Sequence, residues 1–220
     1  GFIFGTVYNV TYQSDQDLNS EIVKELNKVD QSLSPFNSSS IISHINRNEN
    51  VKLNNMFTDV FTLAEKISKE TDGAFDITVA PLVNEWGFGF KKGVEPNKHV
   101  IDSLKDLVGY NKVRLSDGKI IKKDNRMMLD CSAIAKGYGS DVVAIYLLSK
   151  GITNFMVEIG GEIVTKGLND KNQSWKIGVT KPADDPLNTS QELQSILQVT
   201  DIAMATSGNY RNFYYKKKKK

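Results

Sequence analysis

The spacing of apolar and polar positions changes several times along these 220 residues, and each change predicts an element. Residues 6–12 (TVYNVTY) alternate and are rich in β-branched and aromatic side chains, which predicts a strand. Ile22, Leu26, Val29 and Leu33 then recur at helical spacing and mark one buried face. A serine-rich stretch with Pro35, residues 34–40, reads as a loop. A second helix is expected over residues 56–70, with Val60, Leu63, Ala64 and Ile67 on its apolar face and Gly73 as its C-terminal cap.

Residues 74–99 follow neither period. They hold Pro81, Trp86, Gly87, Gly89, Gly93 and Pro96, a composition that suits an irregular binding loop. A short helix is expected over 101–107. Asp117-Gly118, flanked by strand-like residues 113–115 and 119–123, is a strong hairpin signal. Another strand is expected at 127–129, and a helix over 135–150 closed by Gly151. Four more strands are expected at 155–159, 162–166, 175–180 and 196–200, with Gly160-Gly161 as a turn. Helices and strands mix without regular βαβ alternation, so the fold class is α+β.

Composition narrows the classes. Apolar residues make up 40% of the chain, enough for a packed core. The net charge is +2, but Lys216 to Lys220 supply five of the positive charges. Without them the balance is 23 basic to 26 acidic residues, and nothing suggests a nucleic-acid surface. The lysine run, residues 216–220, reads as a loop or a disordered end, and residues 1–215 as the domain. The single cysteine, Cys131, lies in an apolar stretch and reads as structural. His44 and His99 lack partners at metal-ligand spacing, which speaks against zinc. The sequence shows no run apolar enough to span a bilayer and no signal peptide.

Chemistry concentrates in a few clusters. In Asp130-Cys131-Ser132-Ala133-Ile134-Ala135-Lys136-Gly137 a helix begins after an aspartate and a serine, and the free amides of a first helical turn attract phosphate. A simple helix cap explains Asp130 or Ser132 equally well. Gly73-Ala74-Phe75-Asp76 and Trp86-Gly87-Phe88-Gly89 join a carboxylate to aromatic rings, which suits a planar heterocycle or a small core beneath a loop. Ser34-Pro35-Phe36, Ser40 and Asn46 fit turn and cap formers. Glu158-Ile159-Gly160-Gly161-Glu162 and Ala205-Thr206-Ser207-Gly208-Asn209-Tyr210 fit either ligand contact or tight turns.

The order of these clusters carries more than any one of them. FGTVYNV, SPFNSSSIISHIN, GAFDITVAPLVNEWGFG, DCSAIAKGYGSD, VEIGGEIVTKG and ATSGNYRNF resemble, in order, segments of the ApbE flavin transferase family over nearly the whole chain. The resemblance implies a single compact ApbE-like domain, related to the T-fold, with mixed sheets and packed helices. It implies an FAD:protein FMN transferase that uses FAD and a divalent metal, usually Mg2+. Such an enzyme cleaves the pyrophosphate and attaches FMN by a phosphoester to a threonine of a target protein, typically a redox-pump subunit.

Residue by residue, Phe36 stands where the family has an FAD-contacting aromatic, and Ala74, Phe75 and Asp76 match its FAD-contacting tripeptide. Asp130 and Lys136 match two further FAD contacts, and Phe4 stands where many relatives have a methionine near the flavin. Ala133 stands where the family offers the metal an oxygen, here only a backbone carbonyl. After ATSGNYRNF the family continues with a histidine-bearing segment, then one whose aspartate and threonine complete the metal site; neither is in this sequence. The expectation is a longer natural protein, with the remaining metal ligands beyond residue 220 and a catalytic base that the sequence does not name. The resemblance also implies a lipoprotein at the periplasmic side of the bacterial inner membrane, touching the membrane only through an N-terminal lipid anchor. Two other outputs fit the same motifs: an FAD pyrophosphatase releasing FMN and AMP, and a non-catalytic FAD-binding protein. A domain without a ligand requires six matches by chance.

Overall fold

A computed structural model describes residues 1–90, 97–181 and 192–208. In chain order the elements are β1 (Phe2–Ile3), β2 (Thr6–Tyr12), α1 (Asn19–Leu33), α2 (Ile41–Asn46), α3 (Asn55–Glu70), a 3-10 turn (Ile77–Val79), α4 (Ala80–Glu85) and α5 (Lys98–Lys105). They continue with a second 3-10 turn (Tyr110–Lys112), β3 (Val113–Ser116), β4 (Lys119–Lys122), α6 (Ser132–Ser149), β5 (Phe155–Ile159), β6 (Glu162–Lys166), β7 (Trp175–Thr180), β8 (Leu193–Val199) and β9 (Ala203–Met204). The α+β class holds. The chain divides into two compact units, one of residues 1–22 and 140–220 and the other of residues 23–139.

The first unit is built on an antiparallel sheet in the order β1-β2-β5-β6-β9. β5 is central, with Phe155, Val157 and Ile159 pointing into the core at 1% exposure or less. Its neighbours align Val10, Val157 and Val164 across three strands. Gly160 and Gly161, both at positive φ, join Ile159 to Glu162 in a two-residue hairpin, the turn that the glycine pair predicts. The β1–β2 turn uses the same geometry with Phe4 at φ 51° and Gly5 at φ 74°. A phenylalanine in the left-handed region costs about 1–2 kcal/mol, so the flanking pairs must hold it there. β7 and β8 form a separate ribbon, and the Trp175 indole N–H donates to the Lys166 carbonyl at 3.1 Å.

The second unit holds α2, α3 and the β3–β4 hairpin, whose Asp117-Gly118 turn has both residues at positive φ. Asn54 caps α3 by accepting from the Phe57 amide at 2.9 Å. At the other end Asp72 takes φ 49°, and Gly73 N–H bonds back to the Ser68 carbonyl at 2.8 Å. The helix therefore turns at Asp72, with Gly73 following at positive φ. Cys131 is buried, and burial pushes its thiol up to about 12, in keeping with a structural role.

One open stretch is settled and three expectations change. Residues 41–46 form a short helix because the Ser40 hydroxyl caps it through the Ser43 amide at 3.1 Å. Within 74–90, residues 77–85 are helical: Asp76 caps the 3-10 turn, and Pro81 sits in the first turn of α4, where no helix N–H is needed. Residues 127–129 are not in a strand. The buried face of α3 is Phe57, Val60, Phe61, Ala64 and Ser68, while Leu63 stays 47% exposed. Residues 91–96, which include Gly93 and Pro96, lie outside the described residues.

Two exposed ion clusters in the second unit hold their carboxyls below the usual range. Arg47 donates to both Glu49 oxygens at 2.8 Å, and the His44 ring meets Glu49 at 2.5 Å. These partners, Arg47 first, hold the Glu49 carboxyl down at about 2. Hydrogen bonds from Arg126 do the same for Asp124, also to about 2. Both carboxyls titrate lower in the folded chain than unfolded. Their stabilisation is therefore full above the unfolded value and is lost as pH falls toward 2. Thermal melts at low salt are expected to show a falling Tm from about pH 5 to pH 2, less steep in an E49Q/D124N double variant. Equal slopes in the two proteins would remove these clusters as the cause.

Candidate active site

A cavity of about 200 Å³ opens in the second unit. The loop before α2 contributes Phe36, the end of α2 contributes Asn46, and α4 contributes Ala80, Val83 and Asn84. Phe88 and Phe90 form an aromatic edge, and residues 128–130 and Ser132 complete the wall. The volume is below the roughly 300–1,000 Å³ that encloses a drug-sized ligand, so it would enclose only part of one.

The aromatic edge follows from local chemistry. The Asn84 side-chain oxygen accepts from the Phe90 amide at 3.0 Å and folds the chain back over α4. A Cβ at Gly89 would stand 1.9 Å from that oxygen, so this close turn requires glycine. The turn brings the Phe90 ring edge-on to Phe36, with centroids 5.4 Å apart at 62°. Phe36, Phe88 and Phe90 are 66%, 41% and 57% exposed, an open aromatic surface beside polar groups, the arrangement that receives a flat ring system.

Asp130 provides the charge. Its Oδ1 accepts from the Ser132 amide at 2.7 Å, so the capping role that the sequence leaves open is realised. The carboxylate stands at the mouth of α6, whose first turn carries a positive dipole end. Lys136 is half-buried one turn further along α6.

Asp76 has a structural duty. Its Oδ1 accepts from Thr78 N at 2.8 Å and Thr78 Oγ1 at 2.7 Å, and its Oδ2 accepts from Tyr110 N at 2.7 Å. One backbone bond, Asp130 N to Ile77 O at 2.7 Å, joins this knot to the cavity wall.

Of the residues expected from sequence, Phe36 and Asp130 line the cavity together. Asp76 is one residue from Ile77, the hydrogen-bond partner of Asp130; Ala74 is exposed and Phe75 half-buried beside it. Ala133 is exposed in the first turn of α6. Phe4 belongs to the other unit. No three His, Cys, Asp or Glu side chains gather into a cation site among the described residues. Sequence reasoning passed over Asn84, Phe90 and Met128 in the wall. The close Gly89 turn was the available signal for the first two, since a glycine two residues after Gly87 marks a backbone held against something.

A family model described as the ApbE family matches residues 4–220. The chain belongs to the ApbE family. It is 36% identical to an FAD:protein FMN transferase of Vibrio cholerae over 97% of this chain and 66% of that protein. It is 33% identical to one of Haemophilus influenzae, again over 97% of this chain and 66% of that protein. The chain thus spans just under two thirds of the length of these relatives. Among solved structures it is similar to the flavin transferase ApbE from Vibrio cholerae, with TM-score 0.86 and 36% identity over 98% of this chain and 72% of that chain. The ApbE protein from Thermotoga maritima gives TM-score 0.84 and 25% identity, covering 99% of this chain and 72% of that chain. The ApbE fold of this chain is therefore the mixed helix-and-sheet architecture of its relatives.

Proposed function

We propose that this chain carries the FAD-binding part of an FAD:protein FMN transferase. A threonine hydroxyl of a target protein attacks the FMN-side phosphorus of FAD. The P–O bond to the AMP half breaks, a phosphoester to FMN forms, the hydroxyl proton leaves and AMP is released. The observation that carries this reading is the cavity with aromatic edge and carboxylate, Phe36, Phe90 and Asp130, in a chain 36% identical to a protein of that name.

The chain's own groups would divide the work. The aromatic surface holds a flat ring, and the Asn84 amide offers a polar group beside it. The α6 N-terminus favours phosphate nearby. Phosphoryl transfer demands mainly positioning and charge neutralisation. Mg2+, when bound, supplies neutralisation of the pyrophosphate oxygens. Ala133 would offer it a hard carbonyl oxygen, with further ligands from outside the described residues. We also propose a redox-pump subunit as target and a lipid-anchored location at the periplasmic face of the inner membrane. These rest on the motif resemblance, and subcellular fractionation of the natural full-length protein tests the location. No described helix is long and apolar enough to cross a membrane.

The test is incubation of the natural full-length protein with FAD, Mg2+ and a redox-pump subunit, read by in-gel flavin fluorescence and peptide mass. Covalent flavin on a threonine is expected. Free FMN and AMP with an unlabelled acceptor would instead assign the pyrophosphatase output, and intact FAD with no product would overturn the enzymatic reading.

A further inference from the structure

The segment leading into Asp130, residues 127–131, is in no helix or strand and pairs with no strand among the described residues. A side chain takes the place of one. Leu129 N–H donates to Asn46 Oδ1 at 2.7 Å, and Asn46 Nδ2 donates to the Leu129 carbonyl at 2.9 Å. Asn46, the last residue of α2, thereby satisfies both backbone groups of a residue 83 positions away, as a neighbouring strand would.

The clamp has two supports. Lys122 Nζ donates to the Ile45 carbonyl at 3.0 Å and to the Met127 carbonyl at 2.9 Å, tying the end of α2 to the same segment. On the far side Asp130 N–H is held by the Ile77 carbonyl at 2.7 Å. Residues 127, 129 and 130 are thus each fixed by a group from elsewhere in the unit, and the Leu129 side chain is fully buried beneath them. What this fixes is the cavity wall, the Asp130 carboxylate and the start of α6.

We infer that Asn46 is a positioning residue of the FAD site, acting through the Leu129 peptide to place Asp130. The inference rests on the FAD reading above. An amide is required because one end must accept and the other donate. A carboxylate of the same shape loses the donor and faces the Leu129 carbonyl oxygen to oxygen. When protonated it regains the donor.

The experiment is calorimetric titration of FAD in the presence of Mg2+ into wild type, N46A, N46D and N54A, with Tm measured alongside. N54A removes the α3 cap, away from the cavity, and controls for general loss of stability. At pH 8, N46A and N46D are expected to bind FAD at least tenfold more weakly than wild type. N54A is expected to lose Tm yet stay within twofold of wild-type affinity. N46D is expected to recover part of its affinity at pH 5, while N46A does not. Wild-type affinity in folded N46D at pH 8, or equal weakening in N54A, would overturn the positioning role while leaving the FAD site standing. A wild type that binds no FAD would overturn the FAD reading, and this role with it. If N46A does not fold, the N46D pH comparison decides alone: equal weakening at both pH values overturns the inference.

Discussion

Asp76→Ala is expected to lower Tm by roughly 6–12 °C and to abolish FAD binding at micromolar concentrations, taking about 3 kcal/mol and the usual shift per kcal/mol for a chain of this length. The carboxylate accepts three hydrogen bonds, two from Thr78 and one from the Tyr110 amide. Thr78 Oγ1, held by Asp76, accepts in turn from the Gly109 amide at 2.7 Å. Alanine removes the cap of the 3-10 turn, worth about 1 kcal/mol, and strips partners from donors that are costly to leave unmade. The half-exposed position admits water and tempers the total. FAD binding suffers because Ile77, the next residue, holds the Asp130 amide. Asp76→Asn should be milder, about 1–2 kcal/mol, because its oxygen can keep both Thr78 bonds while its NH2 meets the Tyr110 N–H donor to donor. Circular dichroism melts and FAD titration of both variants check this. An alanine variant with wild-type Tm would sink it.

Phe57→Ala is expected to cost about 3–5 kcal/mol, the usual range for emptying a buried aromatic site. Phe57 is 1% exposed and stacks on Phe61 with centroids 6.2 Å apart. Leu63→Ala on the same helix should change stability by no more than about 0.5 kcal/mol, because Leu63 is 47% exposed. Urea unfolding of the two variants separates two orientations of α3. The apolar spacing expects Leu63 inside; the structure turns Phe57 and Phe61 inside instead. A large loss in Leu63→Ala with little in Phe57→Ala would reverse the assigned face.

That contrast shows where local reading stops. An amphipathic period says that α3 has a buried side, but apolar residues on both flanks of Val60 and Ala64, the two phenylalanines on one and Leu63 on the other, leave its rotation open. The surface it packs against decides, and the larger rings take the interior.

The elements that sequence determined by itself are those whose cause is local. The alternation of residues 6–12, the α1 face of Ile22, Leu26, Val29 and Leu33, and the turns at Asp117-Gly118 and Gly160-Gly161 depend on neighbours a few positions away. Motif order carried the family, because its glycines, aspartates and aromatics recur in sequence. Tertiary structure alone decided that residues 127–129 lie beside the Asn46 amide instead of a strand, that Asp76 knots Thr78 to Tyr110, and that Phe36 meets Phe90 at the cavity. Each joins groups far apart in the chain through a side chain that could equally have faced water, and no local period encodes which distant backbone group it will satisfy.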